Sequence, residues 1–142
     1  MKHQVLLLCT GNSCRSQIAE ALVNSRMGEE WEAFSAGSRP TGFVNPKALQ
    51  VLDEIGIQHQ GRSKILDEFC GQTFDLVVTV CDENAEECPV WLGKGEKVHM
   101  GFPDPAAATG SEEEVMNVFR SVRDDMIIKV LRLLQEWPNT HQ

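Results

Sequence analysis

Basic residues are scarce in this chain: 13 lysines and arginines stand against 21 aspartates and glutamates, for a formal net charge of −8. Nucleic acid and anionic membrane surfaces both need a basic footprint, so the charge argues against either as a partner. A small anion would have to be captured by local geometry, against the overall field. Long apolar runs are missing as well. Val5-Leu6-Leu7-Leu8 near the N-terminus is too short for the apolar region of a signal peptide and far too short for a membrane span. The expectation is a cytoplasmic protein, in a compartment that keeps thiols reduced. Repeats, low-complexity tracts and linkers are absent too, so residues 1–142 read as one domain. Cysteine is sparse and odd in number, at positions 9, 14, 70, 81 and 88, which does not fit a secreted disulfide scaffold. In the cytosol such cysteines are catalytic, redox-active, metal-binding or simply buried.

What remains is an ordinary soluble mix, 42% hydrophobic and 24% charged. Val5 to Leu8 has the continuous apolar character of a buried parallel strand. Ile18, Ala19, Leu22, Val23 and Met27 follow at helical spacing up to Gly28. Trp31 to Ser35 reads as a second strand before an Ala36-Gly37 turn. Asn45-Pro46 looks like an N-cap followed by proline at the first helical position, opening a helix that stops at Gly56. A short helix is expected over 64–70, and Leu76 to Val80 is the most strongly β-branched strand. Lys97 to Phe102 is a fourth candidate strand. Ser111-Glu112-Glu113-Glu114 forms a capping box ahead of a long helix, with Val115, Phe119, Val122, Met126, Val130 and Trp137 on one face. Alternating strands and helices give an α/β fold with a parallel sheet between helices. Ligands in such folds sit beyond the C-terminal ends of strands. Cys9, Cys81 and Asp104 each fall just after a predicted strand, which gathers them on one sheet edge.

Between the first strand and first helix lies Cys9-Thr10-Gly11-Asn12-Ser13-Cys14-Arg15-Ser16. Successive backbone N–H groups of such a loop can point inward and bind an anion at a helix N-terminus. Gly11 allows close backbone approach, and Asn12 is among the few non-glycine types that tolerate left-handed geometry. The nest and Arg15 are expected to favour the thiolate of Cys9, with Ser16 donating to its sulfur. Arg15 offers a planar fork able to grip two oxygens of a tetrahedral oxyanion. Cys9-x5-Arg15 alone is weak evidence. The octet with a strand before and a helix after is strong.

Together with Ser35-Ala36-Gly37, Asn45-Pro46, Val80-Cys81-Asp82, Cys88-Pro89 and Gly101-Phe102-Pro103-Asp104-Pro105, this octet resembles the arsenate reductases built on the low-molecular-weight tyrosine phosphatase fold. The likeness runs from Val5 to Trp137. It implies a four-stranded parallel sheet flanked by helices, a nucleophile at Cys9, an oxyanion clamp at Arg15, a general acid at Asp104 and relay cysteines at Cys81 and Cys88. Residues Thr10, Gly11, Asn12, Ser13, Cys14, Arg15 and Ser16 would hold the arsenate. The resemblance also implies thioredoxin as reductant; no cofactor and no metal are expected, and the protein is expected to act as a monomer. Some thioredoxin-coupled relatives bind potassium beside the loop, using an acidic residue where this chain has Lys64. Here the Lys64 ammonium is expected to take the cation's place.

Other readings compete. Cys81 and Cys88 could be core thiols or a metal pair, although their spacing fits no common zinc motif. Cys14 and Cys70 read as packing residues, Glu83, Glu86 and Glu87 as a solvated helix face, and His3, His59, His99 and His141 as structural or surface groups. A tyrosine phosphatase would use Cys9, Arg15 and Asp104 identically. Against it, Ala106-Ala107-Ala108 follows the Asp-Pro pair where such enzymes place aromatic side chains, and the chain has no tyrosine. A non-catalytic oxyanion sensor would need a DNA-binding or partner surface that the acidic charge does not supply. If residues 82–87 form a helix, about 10.5 Å of rise separates Cys81 from Cys88. A disulfide needs Cα atoms within about 7 Å, so that segment would have to unwind to be bridged.

Overall fold

In the computed structural model, residues 2–84 and 86–140 are described, Thr140 by its backbone only. Ala85 and His141, expected in a helix and at the surface, lie outside them. The apolar run near the N-terminus becomes the middle of β1 (His3–Cys9), and β2 (Trp31–Gly37), β3 (Leu76–Thr79) and β4 (Glu96–His99) join it. The order is β2-β1-β3-β4, and all pairings are parallel. β1 is interior and its side chains alternate between faces. Val5, Leu7 and Cys9 enter a cluster built with α1 (Arg15–Arg26), α2 (Pro46–Asp53) and α3 (Glu112–Thr140). Leu6 and Leu8 enter a second cluster, with Ala36, Phe74, Val77 and Trp91. Edge-to-face rings of Phe34, Phe69, Phe74 and Trp91 close that side, with centroids 5.7–5.8 Å apart.

The helix ends follow their sequence signals. Asn45 Oδ1 accepts the Lys47 N–H at 2.9 Å, and Pro46 begins α2. At the start of α3, Ser111 Oγ accepts the Glu114 N–H at 3.1 Å while Glu114 Oε1 accepts the Ser111 N–H at 3.3 Å. That reciprocal box contributes about 1 kcal/mol. Among the described residues, no helix is long and apolar enough to cross a membrane.

Four local details differ from the sequence expectation. Ala36 and Gly37 belong to β2, paired with Leu8 and Cys9, instead of forming a turn. A Cβ at Gly37 would lie 2.4 Å from the Thr10 carbonyl oxygen, so only glycine lets the strand end pass under the 9–16 loop. The helix expected over 64–70 is a single 3-10 turn, Leu66–Phe69, and the fourth strand stops at His99. Arg123, a charged residue on the long helix for which a solvated position would be the ordinary expectation, is buried: its guanidinium donates to the Val51 carbonyl at 2.9 Å and pairs with Glu54 at 2.8 Å.

The chain leaves β1 toward β2 on one side and later returns to β3 on the other. The C-terminal edge of β1 and β3 is therefore the switch point where parallel α/β sheets hold ligands. Cys9 ends β1 there, and Cys81 lies two residues past β3.

Candidate active site

Cys9 is 2% exposed, and its sulfur has two neighbours able to donate. The Asn12 N–H donates to Sγ at 3.2 Å, and the Ser16 hydroxyl lies at 2.9 Å. Asn12 Nδ2 in turn donates to Ser16 Oγ at 2.7 Å, which leaves the Ser16 proton for the sulfur. Asn12 takes the left-handed conformation expected of it, with φ 48°. Its Oδ1 accepts from Gln17 Nε2 at 3.1 Å and from the Lys64 N–H at 3.0 Å.

Outside groups hold the loop's carbonyls. The Arg39 N–H donates to Thr10 O at 2.9 Å, the Ser63 hydroxyl to Gly11 O at 3.0 Å and the Asn45 N–H to Ser13 O at 3.0 Å. A peptide N–H points opposite its C=O, so fixing these carbonyls outward turns the loop's N–H groups inward. The cavity at the loop is about 130 Å³ and is lined by Cys9, Gly11, Ser13, Arg15 and Asp104 among others. Drug-sized ligands fill about 300 Å³ or more, so this space suits a small anion.

Arg15, the first residue of α1, is 3% exposed. Asp104 Oδ2 lies 3.8 Å from its Nη2, while Asp104 Oδ1 accepts the Ala106 N–H at 3.0 Å at the start of a 3-10 turn. The carboxylate is thereby aimed at the cavity by the Pro103-Asp104-Pro105 backbone. Cys14 is buried beside them. Burial first, then the negative charges of Asp104 and Cys9, push its thiol up to about 12, so it stays protonated at neutral pH. Cys70 is exposed, contrary to the core position expected for it.

Cys81 and Cys88 form a disulfide with Cα atoms 5.9 Å apart. No described residue between them is helical. Cys81 is fully buried, and Cys88 is half-buried. The same two sulfurs and a His99 ring nitrogen lie within 4.8 Å of one another. Bridged sulfurs have no thiolate to offer a metal.

Glu86 does not sit on a solvated face. Its carboxylate accepts two hydrogen bonds from Arg15, at 2.5 and 2.8 Å, another from the Thr10 hydroxyl, and a fourth from the Asp82 N–H at 3.2 Å. Burial alone would raise its pKa, but the bonds from Arg15 and Thr10 and the Arg15 charge hold it at about 2. Beyond the loop, Lys64 Nζ lies 4.0 Å from Glu20 Oε1 and donates to Ser35 Oγ at 3.4 Å and Arg62 O at 2.9 Å. Burial lowers the Lys64 pKa and raises that of Glu20, and each charge opposes the shift of the other.

The model of the low molecular weight phosphotyrosine protein phosphatase family matches residues 4–140. An arsenate reductase of Halalkalibacterium halodurans is 46% identical over 126 residues, covering 88% of this chain and 90% of that protein. A solved arsenate reductase described as in the intermediate state superposes with a TM-score of 0.74 at 26% identity, over 96% of this chain and 98% of its own. A thioredoxin-dependent arsenate reductase of Corynebacterium glutamicum superposes at TM-score 0.67 and 26% identity, over 94% of this chain and 62% of that one.

Proposed function

We propose, for a chain that belongs to the low molecular weight phosphotyrosine protein phosphatase family, that it reduces arsenate to arsenite through three cysteines. The observation that carries this reading is a Cys81–Cys88 disulfide on the same sheet edge as the Cys9 loop. A phosphatase needs the loop but has no use for that pair.

The inward N–H groups and Arg15 hold the oxyanion against Cys9. The Cys9 thiolate attacks arsenic(V), forming an S–As bond, and Asp104 protonates the departing oxygen. Cys81 then attacks the Cys9 sulfur. The S–As bond breaks and its electron pair leaves with arsenic, which departs as arsenite. Cys88 attacks the Cys81 sulfur and releases Cys9 as a thiolate, by ordinary thiol–disulfide exchange. The Cys81–Cys88 disulfide is the oxidised product. Thioredoxin is its reductant on this reading, supported by the likeness to a thioredoxin-dependent relative. The setting is the cytoplasm, where such a dithiol returns to its reduced form.

Cys9, Arg15 and Asp104 also suffice for phosphate-ester hydrolysis, so weak phosphatase activity is expected beside the reductase. Arsenite formation with a thioredoxin system, set against aryl phosphate hydrolysis by the same sample, separates the two. Hydrolysis with no arsenite would leave a phosphatase.

Lys64 serves in place of a bound cation. Its ammonium sits among Glu20, Ser35 and the Arg62 carbonyl, and its backbone N–H braces Asn12. Potassium and sodium chloride at equal ionic strength should therefore give the same melting temperature and the same oxyanion affinity. A rise in melting temperature with potassium alone would count against this role.

A further inference from the structure

We propose that Glu86 is a positioning residue of the catalytic cycle: once the Cys81–Cys88 disulfide has formed, its carboxylate takes the oxyanion's place on Arg15 and keeps oxyanions off the oxidised enzyme. The proposal rests on the reading of the 9–16 loop as an oxyanion site and of Cys81 and Cys88 as the relay pair.

Glu86 stands beside the Cys9 cavity and not within its lining, and on Arg15 its contacts are those an oxyanion would make. Glu86 presents two oxygens to the guanidinium fork at 2.5 and 2.8 Å, the bidentate arrangement by which arginine grips carboxylates and phosphates alike. Its third contact is the hydroxyl of Thr10, itself a loop residue. Arg15 is 3% exposed, so losing a bound oxyanion would leave a nearly buried cation with only the Asp104 carboxylate, 3.8 Å from Nη2, as counter-charge, which is costly. Glu86 supplies a second.

The coupling to redox state comes from the tether. Glu86 lies inside the short ring closed by Cys81 and Cys88, whose Cα atoms stand 5.9 Å apart. The Asp82 N–H, within the same ring, also donates to the carboxylate, at 3.2 Å. A short flexible tether already gives an effective concentration in the millimolar range, and ring closure narrows the conformations further. Reduction opens the ring and loosens that hold. The consequence for the cycle is economy of binding. With Cys81 and Cys88 joined, no thiol remains to carry the relay, so an arsenate bound at Cys9 could not be reduced. Glu86 excludes that dead-end complex until the disulfide is reduced.

Inorganic phosphate is a suitable probe because thiols do not reduce it. Its affinity is measured by calorimetry on four samples: the protein and Glu86→Gln, each fully reduced and each oxidised with diamide. Peptide mapping verifies the Cys81–Cys88 bridge in the oxidised samples. The oxidised parent should bind phosphate about tenfold or more weakly than the reduced parent. Glu86→Gln should bring the oxidised form back to within about threefold of the reduced one, while the two reduced proteins stay within about twofold of each other. Equal affinity in the two redox states of the parent, or an oxidised Glu86→Gln as weak as the oxidised parent, would overturn the proposal. Phosphate binding to neither reduced protein would instead overturn the oxyanion reading of the loop, and this one with it.

Discussion

Cys9→Ser should abolish arsenate reduction and aryl phosphate hydrolysis together, each by at least about a thousandfold, because both chemistries begin with the same nucleophile. Binding should survive. The inward N–H groups and Arg15 are untouched, so phosphate affinity of the reduced variant should stay within a few-fold of the parent. Arg15→Lys should lose activity for a different reason: an ammonium is a point charge and cannot span two oxygens of the anion. Asp104→Asn should damage both reactions as well, through loss of the proton donor at the cavity mouth. Steady-state assays with arsenate and with an aryl phosphate check the set. Turnover of Cys9→Ser within about tenfold of the parent would remove Cys9 from the chemistry.

Cys88→Ser and Cys81→Ser should split the two activities. Neither sulfur is needed to hydrolyse an ester, so aryl phosphate turnover should stay near the parental rate. Arsenate reduction should stop after at most one arsenite per chain. In Cys88→Ser the relay halts with Cys9 joined to Cys81, and in Cys81→Ser it halts at the arsenic adduct. Cys81 is fully buried, so its serine variant also carries an unpaired hydroxyl costing about 1–3 kcal/mol. Both rates must therefore be compared in each variant. An equal fall in both activities of Cys81→Ser would make its role structural.

Much of this site was legible because its signals are local. The strand-loop-helix context of Cys9 to Ser16, the left-handed Asn12, the Asn45-Pro46 start and the Ser111 box each depend on residues close in sequence, and each appears as read. The misreadings share an opposite cause. Ala36-Gly37 has turn composition, yet register with β1 keeps it extended. Residues 82–87 are a different case: a helix is expected there only while Cys81 and Cys88 are unbridged, about 10.5 Å apart, and the bridged form, with Cα atoms at 5.9 Å, fits the unwinding expected of it. The covalent bond overrides local propensity, and the described residues of the segment are irregular in this state. Glu86 was read as solvated for the same reason. Its partners Thr10 and Arg15 are more than seventy residues away in sequence, and no periodicity reports that approach. The only hint available was its place between two relay cysteines beside a loop short of negative charge.

The relay itself is tested most directly by arsenite formation in the absence of any external reductant. Fully reduced protein is mixed with excess arsenate, arsenite is counted, and disulfides are mapped by mass spectrometry after acid quench. The expected result is one arsenite per chain, two thiols lost, and a single new bridge between Cys81 and Cys88, with Cys9 again free to be alkylated. No arsenite, or arsenite formed with Cys81 and Cys88 both still reduced, would contradict it.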